Sequence, residues 1–212
     1  MSSPKSRSYQ MSRRAEQVSH TRRRIVEAAV ALHGSAGPAA TTIAAIAGRA
    51  GVTRLTVYRH FPDETALFSA CSAHWLAQQQ PPDPGAWAQI ADPVERLRAG
   101  LADLYRFYRA GAAMLSRVHR DVAALPEAHQ RRLREQADGY CGLLTAPFGG
   151  EAGPRRRVRA VIGHAISFWT WHSLCAEQGL SDREAVGVMA SAAQAAMTGA
   201  GAAETAVPHP DR

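Results

Sequence analysis

Over residues 15–198 the apolar residues recur three and four positions apart, and no run of any length alternates apolar with polar. A period near 3.6 lines such residues along one stripe of a helix, whereas a half-buried strand needs a period of two. This one feature confines the chain to an all-α fold. Alanine, the best helix former, is abundant and strengthens it. No internal repeat accompanies the pattern.

The punctuation sets the helices. Ile25, Ala28, Ala29 and Leu32 form one face of a first helix predicted over residues 15–33, stopped by Gly34, Gly37 and Pro38. Thr42 is placed to cap a short second helix reaching Ala50, and Gly51-Val52 turns the chain. Thr53 caps a third helix through His60, and Asp63 a fourth over residues 64–79. The Pro-rich stretch 80–85 is the clearest linker. Beyond it the spacing predicts helices over 93–110, over a shorter stretch ending before Pro126, around Leu133–Leu144, over 155–178 and over 182–198. The stretch 155–178 is apolar on two faces and must be covered from two sides.

Charge is unevenly placed. Of the net +7, residues 1–62 carry +8, because ten Lys and Arg there face only Glu16 and Glu27. The pattern fits a basic module that meets a polyanion, joined to a near-neutral module that does not. Lys5 is the only lysine, which removes P-loop and Schiff-base chemistry. Cys71, Cys141 and Cys175 are far apart and odd in number, which disfavours structural zinc or a disulfide framework and fits a reducing, cytoplasmic setting. No hydrophobic stretch is apolar enough to read as a leader or a membrane span.

Residues 42–61 hold the most informative pattern. Two short capped helices joined by a glycine turn have helix-turn-helix geometry. Ile43, Ile46, Ala47, Val52, Val57 and Phe61 are the candidate core. Outside remain Arg49, Arg54, Leu55, Thr56, Tyr58, Arg59 and His60, a set suited to phosphate oxygens and base edges in a major groove.

From Thr21 to Phe68 the chain resembles the tetracycline-repressor (TetR-type) transcription regulators. The resemblance rests on Thr42 four residues before Ile46-Ala47, on Ala50-Gly51-Val52-Thr53, on Thr56-Val57-Tyr58-Arg59-His60-Phe61 and on Leu67-Phe68. It implies a dimer that binds a palindromic DNA operator, through Thr42, Thr53, Arg54, Leu55, Thr56, Tyr58, Arg59 and His60. It also implies release by a small-molecule effector held among the later helices. Two departures stand out. Glu64 occupies the start of the fourth helix, where many members carry a phosphate-binding lysine, and Leu55 replaces a small residue or proline, with a side chain that suits a thymine methyl.

The expected organisation is a disordered basic arm over 1–14, a DNA-binding domain over 15–62, a connecting helix over 63–80, a helical ligand-binding and dimerisation domain over 81–198, and a flexible tail over 199–212. Tyr105, Tyr108, Met114, Phe168, Trp169 and His172 are the candidate effector contacts. Trp171, Cys175, Met189, Ala193 and Ala196 are the candidate dimer face. No GxSxG, HExxH, carboxylate pair or phosphate loop is present, so no catalytic residue, metal site or cofactor is expected. The rival reading is a helical small-molecule-binding protein or enzyme that has lost operator recognition. The expected function is a cytoplasmic, effector-released repressor.

Overall fold

The computed structural model describes residues 4–149 and 151–198, with side chains from Met11 onward. All regular structure among the described residues is helical, and the chain divides into two compact units. Of the described residues, those up to 81 and 111–133 make the first unit, and 82–110 with those from 134 on make the second.

In the first unit α1 (Pro4–Ser35) is followed by a 3-10 turn at Pro38–Ala40, then α2 (Ile43–Ala50), α3 (Arg54–His60) and α4 (Glu64–Leu76). The helix begins far ahead of residue 15, so positions 4–14, expected as a disordered arm, are helical. Residues 5–33 contain no glycine or proline to stop a helix, and Ser12 donates to Glu16 one turn on, at 3.2 Å. Residues 1–3 and the expected tail lie outside the described residues. Ile25, Val26 and Ala29 of α1 pack with Ile46, Ala47 and Ala50 of α2, Val57 of α3, and Leu67 and Cys71 of α4 in one buried cluster closed by Phe61.

A long helix, α6 (Pro93–Arg120), replaces the two expected on either side of residue 111. Gly111 does not break it. A Cβ there would lie 2.9 Å from the Trp75 ring on α4, so the glycine allows a close approach. Residues 111–133, expected in the carboxy-terminal domain, group instead with the amino-terminal helices. The cause is a set of polar ties at the end of α1. Arg117 and Arg120 donate to the carbonyls of Ser35 and Ala36 at 2.9 and 3.0 Å, and Asp121 accepts from the Ala39 amide at 3.1 Å. These arginines satisfy carbonyls that a helix end leaves open. At the start of α7 (Glu127–Thr145), His129 meets the Phe68 ring edge-on at 4.6 Å, and His33 tilts against the same ring at 5.3 Å.

The second unit holds α5 (Pro84–Ala88), residues 93–110 of α6 and the end of α7. It also holds α8 (Ala152–Ala165), α9 (Phe168–Trp171) with a π-helical turn at His172–Glu177, and α10 (Asp182–Thr198). Asp103 ties the Pro-rich segment to α6, accepting from the Asp83 amide at 2.7 Å and the Trp87 indole at 3.0 Å. Burial opposes its ionisation, but these bonds and Arg106 outweigh burial and hold the carboxyl below its usual range.

The helix expected over 155–178 breaks at Ser167, and the hydrogen bonds explain how. In a continuous helix the amides of Trp169 and Thr170 would bond the carbonyls of Ala165 and Ile166. Here they turn to the Ser167 hydroxyl and carbonyl, at 3.3 and 3.1 Å. The two abandoned carbonyls accept instead from the Tyr105 and Tyr108 hydroxyls, at 2.9 and 2.7 Å, while the Thr170 hydroxyl donates to the His164 carbonyl at 2.6 Å. α8 and α10 pack together through Val158, Ile162 and Ala165 on one and Ala185, Met189, Ala190 and Ala193 on the other.

Candidate nucleic-acid interface

The α2–turn–α3 segment is fixed locally at every joint. The Thr42 hydroxyl accepts from the Ala45 amide at 3.1 Å and caps α2. Gly51 ends α2 with φ 63°, a left-handed conformation that glycine adopts without strain. The Thr53 hydroxyl accepts from the Thr56 amide at 3.2 Å and meets the Thr56 hydroxyl at 2.9 Å, capping α3. Asp63 caps α4 through the Ala66 amide at 2.7 Å. Thr42 and Thr53 therefore face solvent with their hydroxyls already engaged in capping.

Val57 at 1% exposure and Phe61 at 2% anchor α3 to the core. The opposite side presents Arg54, Leu55, Tyr58 and Arg59 to solvent, with Thr56 and His60 partly covered at its margin. Leu55 is 71% exposed and Tyr58 49%. Arg49 on α2 and Arg23 on α1 are also exposed. The surface thus combines fixed cations, a phenol and an apolar side chain on a rigid short helix, which suits phosphate positioning together with base-edge contact. Glu64 stands exposed in the first turn of α4, beside the Asp63 cap.

The three arginines at residues 22–24 separate in role, which their sequence did not indicate. The Arg22 guanidinium lies 4.6 Å above the Phe61 ring centroid, and Arg24 donates to the Ala50 carbonyl at the end of α2. Both brace the motif from α1. Cys71 is closed off beneath it, its thiol pushed up to about 12 by burial, so it is an inert core residue.

The expected effector contacts are only partly brought together. Tyr105, Tyr108 and Phe168 are buried in the second unit, where Tyr108 meets Phe168 edge-on at 5.5 Å. Both phenols spend their hydroxyls on the helix break, and burial pushes both well above the usual tyrosine range. Trp169 is 46% exposed and packs edge-on against His172 at 5.5 Å. Met114 belongs to the first unit, where a Cβ at Gly34 would lie 3.3 Å from its methyl.

The expected dimer face is turned inward. Trp171, Cys175, Met189 and Ala193 are buried within the protomer, and only Ala196 of the five is partly open. The Trp171 indole donates to Asp182 at 2.9 Å, and Arg109 grips the same carboxylate with two bonds of 2.8 and 2.7 Å. Burial pushes the Cys175 thiol up to about 11, with Asp182 adding to the shift. Val158, Ile162 and Ala165 of one apolar face and Phe168 and Cys175 of the other are buried within the protomer, while Trp169 stays half exposed. Among the described residues no cluster of three metal-ligating side chains occurs, and no helix is long and apolar enough to cross a membrane.

Residues 25–71 match the family described as bacterial regulatory proteins, tetR family. Among solved structures the fold is similar to that of a TetR-like transcriptional regulator from Rhodococcus sp. RHA1. The TM-score is 0.61 at 18% identity, covering 84% of this chain and 96% of that one. It is also similar to a Clostridium perfringens protein described as a candidate fatty acid metabolism regulator, with a TM-score of 0.53 at 16% identity. That match covers 83% of this chain and 97% of the other. No curated protein matches the chain.

Proposed function

We propose that the chain is a TetR-type transcriptional regulator, a reading supported by the family match over residues 25–71 and by the likeness of its fold, and that it acts as a repressor released by a small apolar or aromatic effector. Two copies bind a palindromic operator, each laying α3 in a major groove. The observation that carries this reading is the outward face of α3, where Arg54, Leu55, Tyr58 and Arg59 stand in solvent on a helix capped at its start and anchored by Val57 and Phe61. Arg54 reads a base edge and Tyr58 fixes the register.

The homodimer forms through the outer sides of α8 and α10, where His164, Val188, Ser191 and Ala195 are exposed, Val188 at 51%. Two recognition helices then meet half-sites about 34–36 Å apart, or a multiple of that. The effector contacts the second unit through aromatic ring faces such as those of Trp169 and His172, since the Tyr105 and Tyr108 hydroxyls are engaged. Full release requires the effector to favour the released state roughly 10⁴-fold, about 5.5 kcal/mol.

Selection of duplexes from a random pool by the full chain, with sedimentation of the free protein, tests the reading. A two-fold symmetric site and a dimer at micromolar concentration are expected. Arg54→Ala should then cost about 1–3 kcal/mol of operator affinity and relax preference at one position. A pool that stays unselected, or a monomer with full affinity for single half-sites, overturns the proposal.

A further inference from the structure

We infer that Leu55 is a specificity determinant of the DNA interface, reading the C5-methyl group of one thymine in each operator half-site. The inference rests on the operator reading above and adds to it the chemistry of a single base contact. Leu55 is the most exposed large hydrophobic residue among those described, at 71%. It is not a stray surface leucine. Leu55 lies two residues before Val57, the buried anchor of α3, and Arg59 lies two residues after it. At about 100° per residue, each points about 160° away from Val57.

Leu55 and Arg59 therefore define the middle of the outward face, while Arg54 and Tyr58 flank it on one side and Thr56 on the other. An apolar side chain at the centre of a face that meets DNA has few partners to choose from. Phosphate and sugar offer it nothing, and of the base edges in the major groove the thymine methyl is the apolar one. Arg59, one turn on and about 40° further round the helix, supplies the neighbouring polar contact. The Thr53 cap, with its bonds to the Thr56 amide and hydroxyl, and the Val57 anchor fix the backbone from which the leucine projects.

The test leaves the protein intact in its first arm. After the preferred duplex is selected with the full chain, each thymine of the half-site is replaced in turn by deoxyuridine, symmetrically in both halves. This removes one methyl and keeps the base pair. Fluorescence anisotropy at fixed salt should find one position where the loss weakens binding about fourfold per half-site, the worth of one buried methyl-sized group. In the second arm Leu55→Ala should weaken binding to the thymine duplex by a similar or larger factor. It should bind the thymine and deoxyuridine forms equally.

Selective binding that is unmoved by every deoxyuridine replacement sinks the Leu55 inference while the operator reading stands. So does a Leu55→Ala protein that discriminates the two duplexes as the parent does, or one whose only change is in self-association. A pool from which no sequence is enriched removes the operator reading and this inference with it.

Discussion

Replacing Tyr108 by phenylalanine removes one oxygen atom and leaves the ring where it packs, against Phe168 at 5.5 Å and Trp171 at 6.1 Å. The oxygen is what holds the helix break. It donates to the Ile166 carbonyl at 2.7 Å, and the amide that would otherwise serve that carbonyl, Thr170 N–H, is committed to Ser167. No cavity of consequence opens, so the cost is that of a buried carbonyl left without a donor, about 1–3 kcal/mol. Tyr105→Phe, which frees the Ala165 carbonyl, should cost a similar amount. The double variant should fall short of the sum, because both hydroxyls stabilise one break and neighbouring sites couple. Tyr140→Phe is the control. Its hydroxyl accepts from Gln136 at an exposed position, and its loss should stay within about 0.5 kcal/mol. Urea unfolding followed by circular dichroism, at one protein concentration for all variants, measures the differences. If Tyr105→Phe and Tyr108→Phe unfold at the same midpoint as Tyr140→Phe, the phenols do not hold the break, and the hydrogen-bond accounting of this segment is wrong.

Glu64→Lys should strengthen binding to specific and non-specific duplex alike and steepen the log–log salt slope by about one unit, as one added phosphate contact does; parallel slopes in a salt titration would place the start of α4 away from the DNA backbone. Gly51→Ala should destabilise the first unit by about 1–2 kcal/mol and weaken DNA binding, because φ 63° strains alanine and its Cβ would press on the Arg24 guanidinium; unchanged thermal unfolding would contradict this. Burial lowers the pKa of His33, and burial together with the charge on Arg132 lowers that of His129, so the fold binds fewer protons than the unfolded chain. Stability should therefore be complete above about pH 6.5 and fall as the pH drops below it; in His33→Phe/His129→Phe that fall should be shallower, and an identical pH profile would exclude the pair as its source.

How much of this was legible beforehand depended on how far apart the interacting residues lie. The all-α class, the three capped starts at Thr42, Thr53 and Asp63, the glycine end of α2 at Gly51, and the outward set on α3 follow from spacing and from contacts within four residues. Such contacts are written in the sequence itself, since cap and capped amide are near neighbours in the chain. The apolar period likewise told which side of α3 must be buried, whatever buries it.

Other features turned on partners far away in sequence. Gly111 looks like a stop and is instead a point of close approach, because Trp75 lies against it. Tyr105 and Tyr108 look like core or ligand aromatics, yet their hydroxyls close a break some sixty residues on. Trp171 and Ala193 look like an unpaired face until Asp182 and the packing of α8 on α10 supply their cover. Local periodicity fixes which faces of a helix are apolar, but which neighbour covers each face, and which distant donor satisfies each opened carbonyl, is decided by tertiary packing alone.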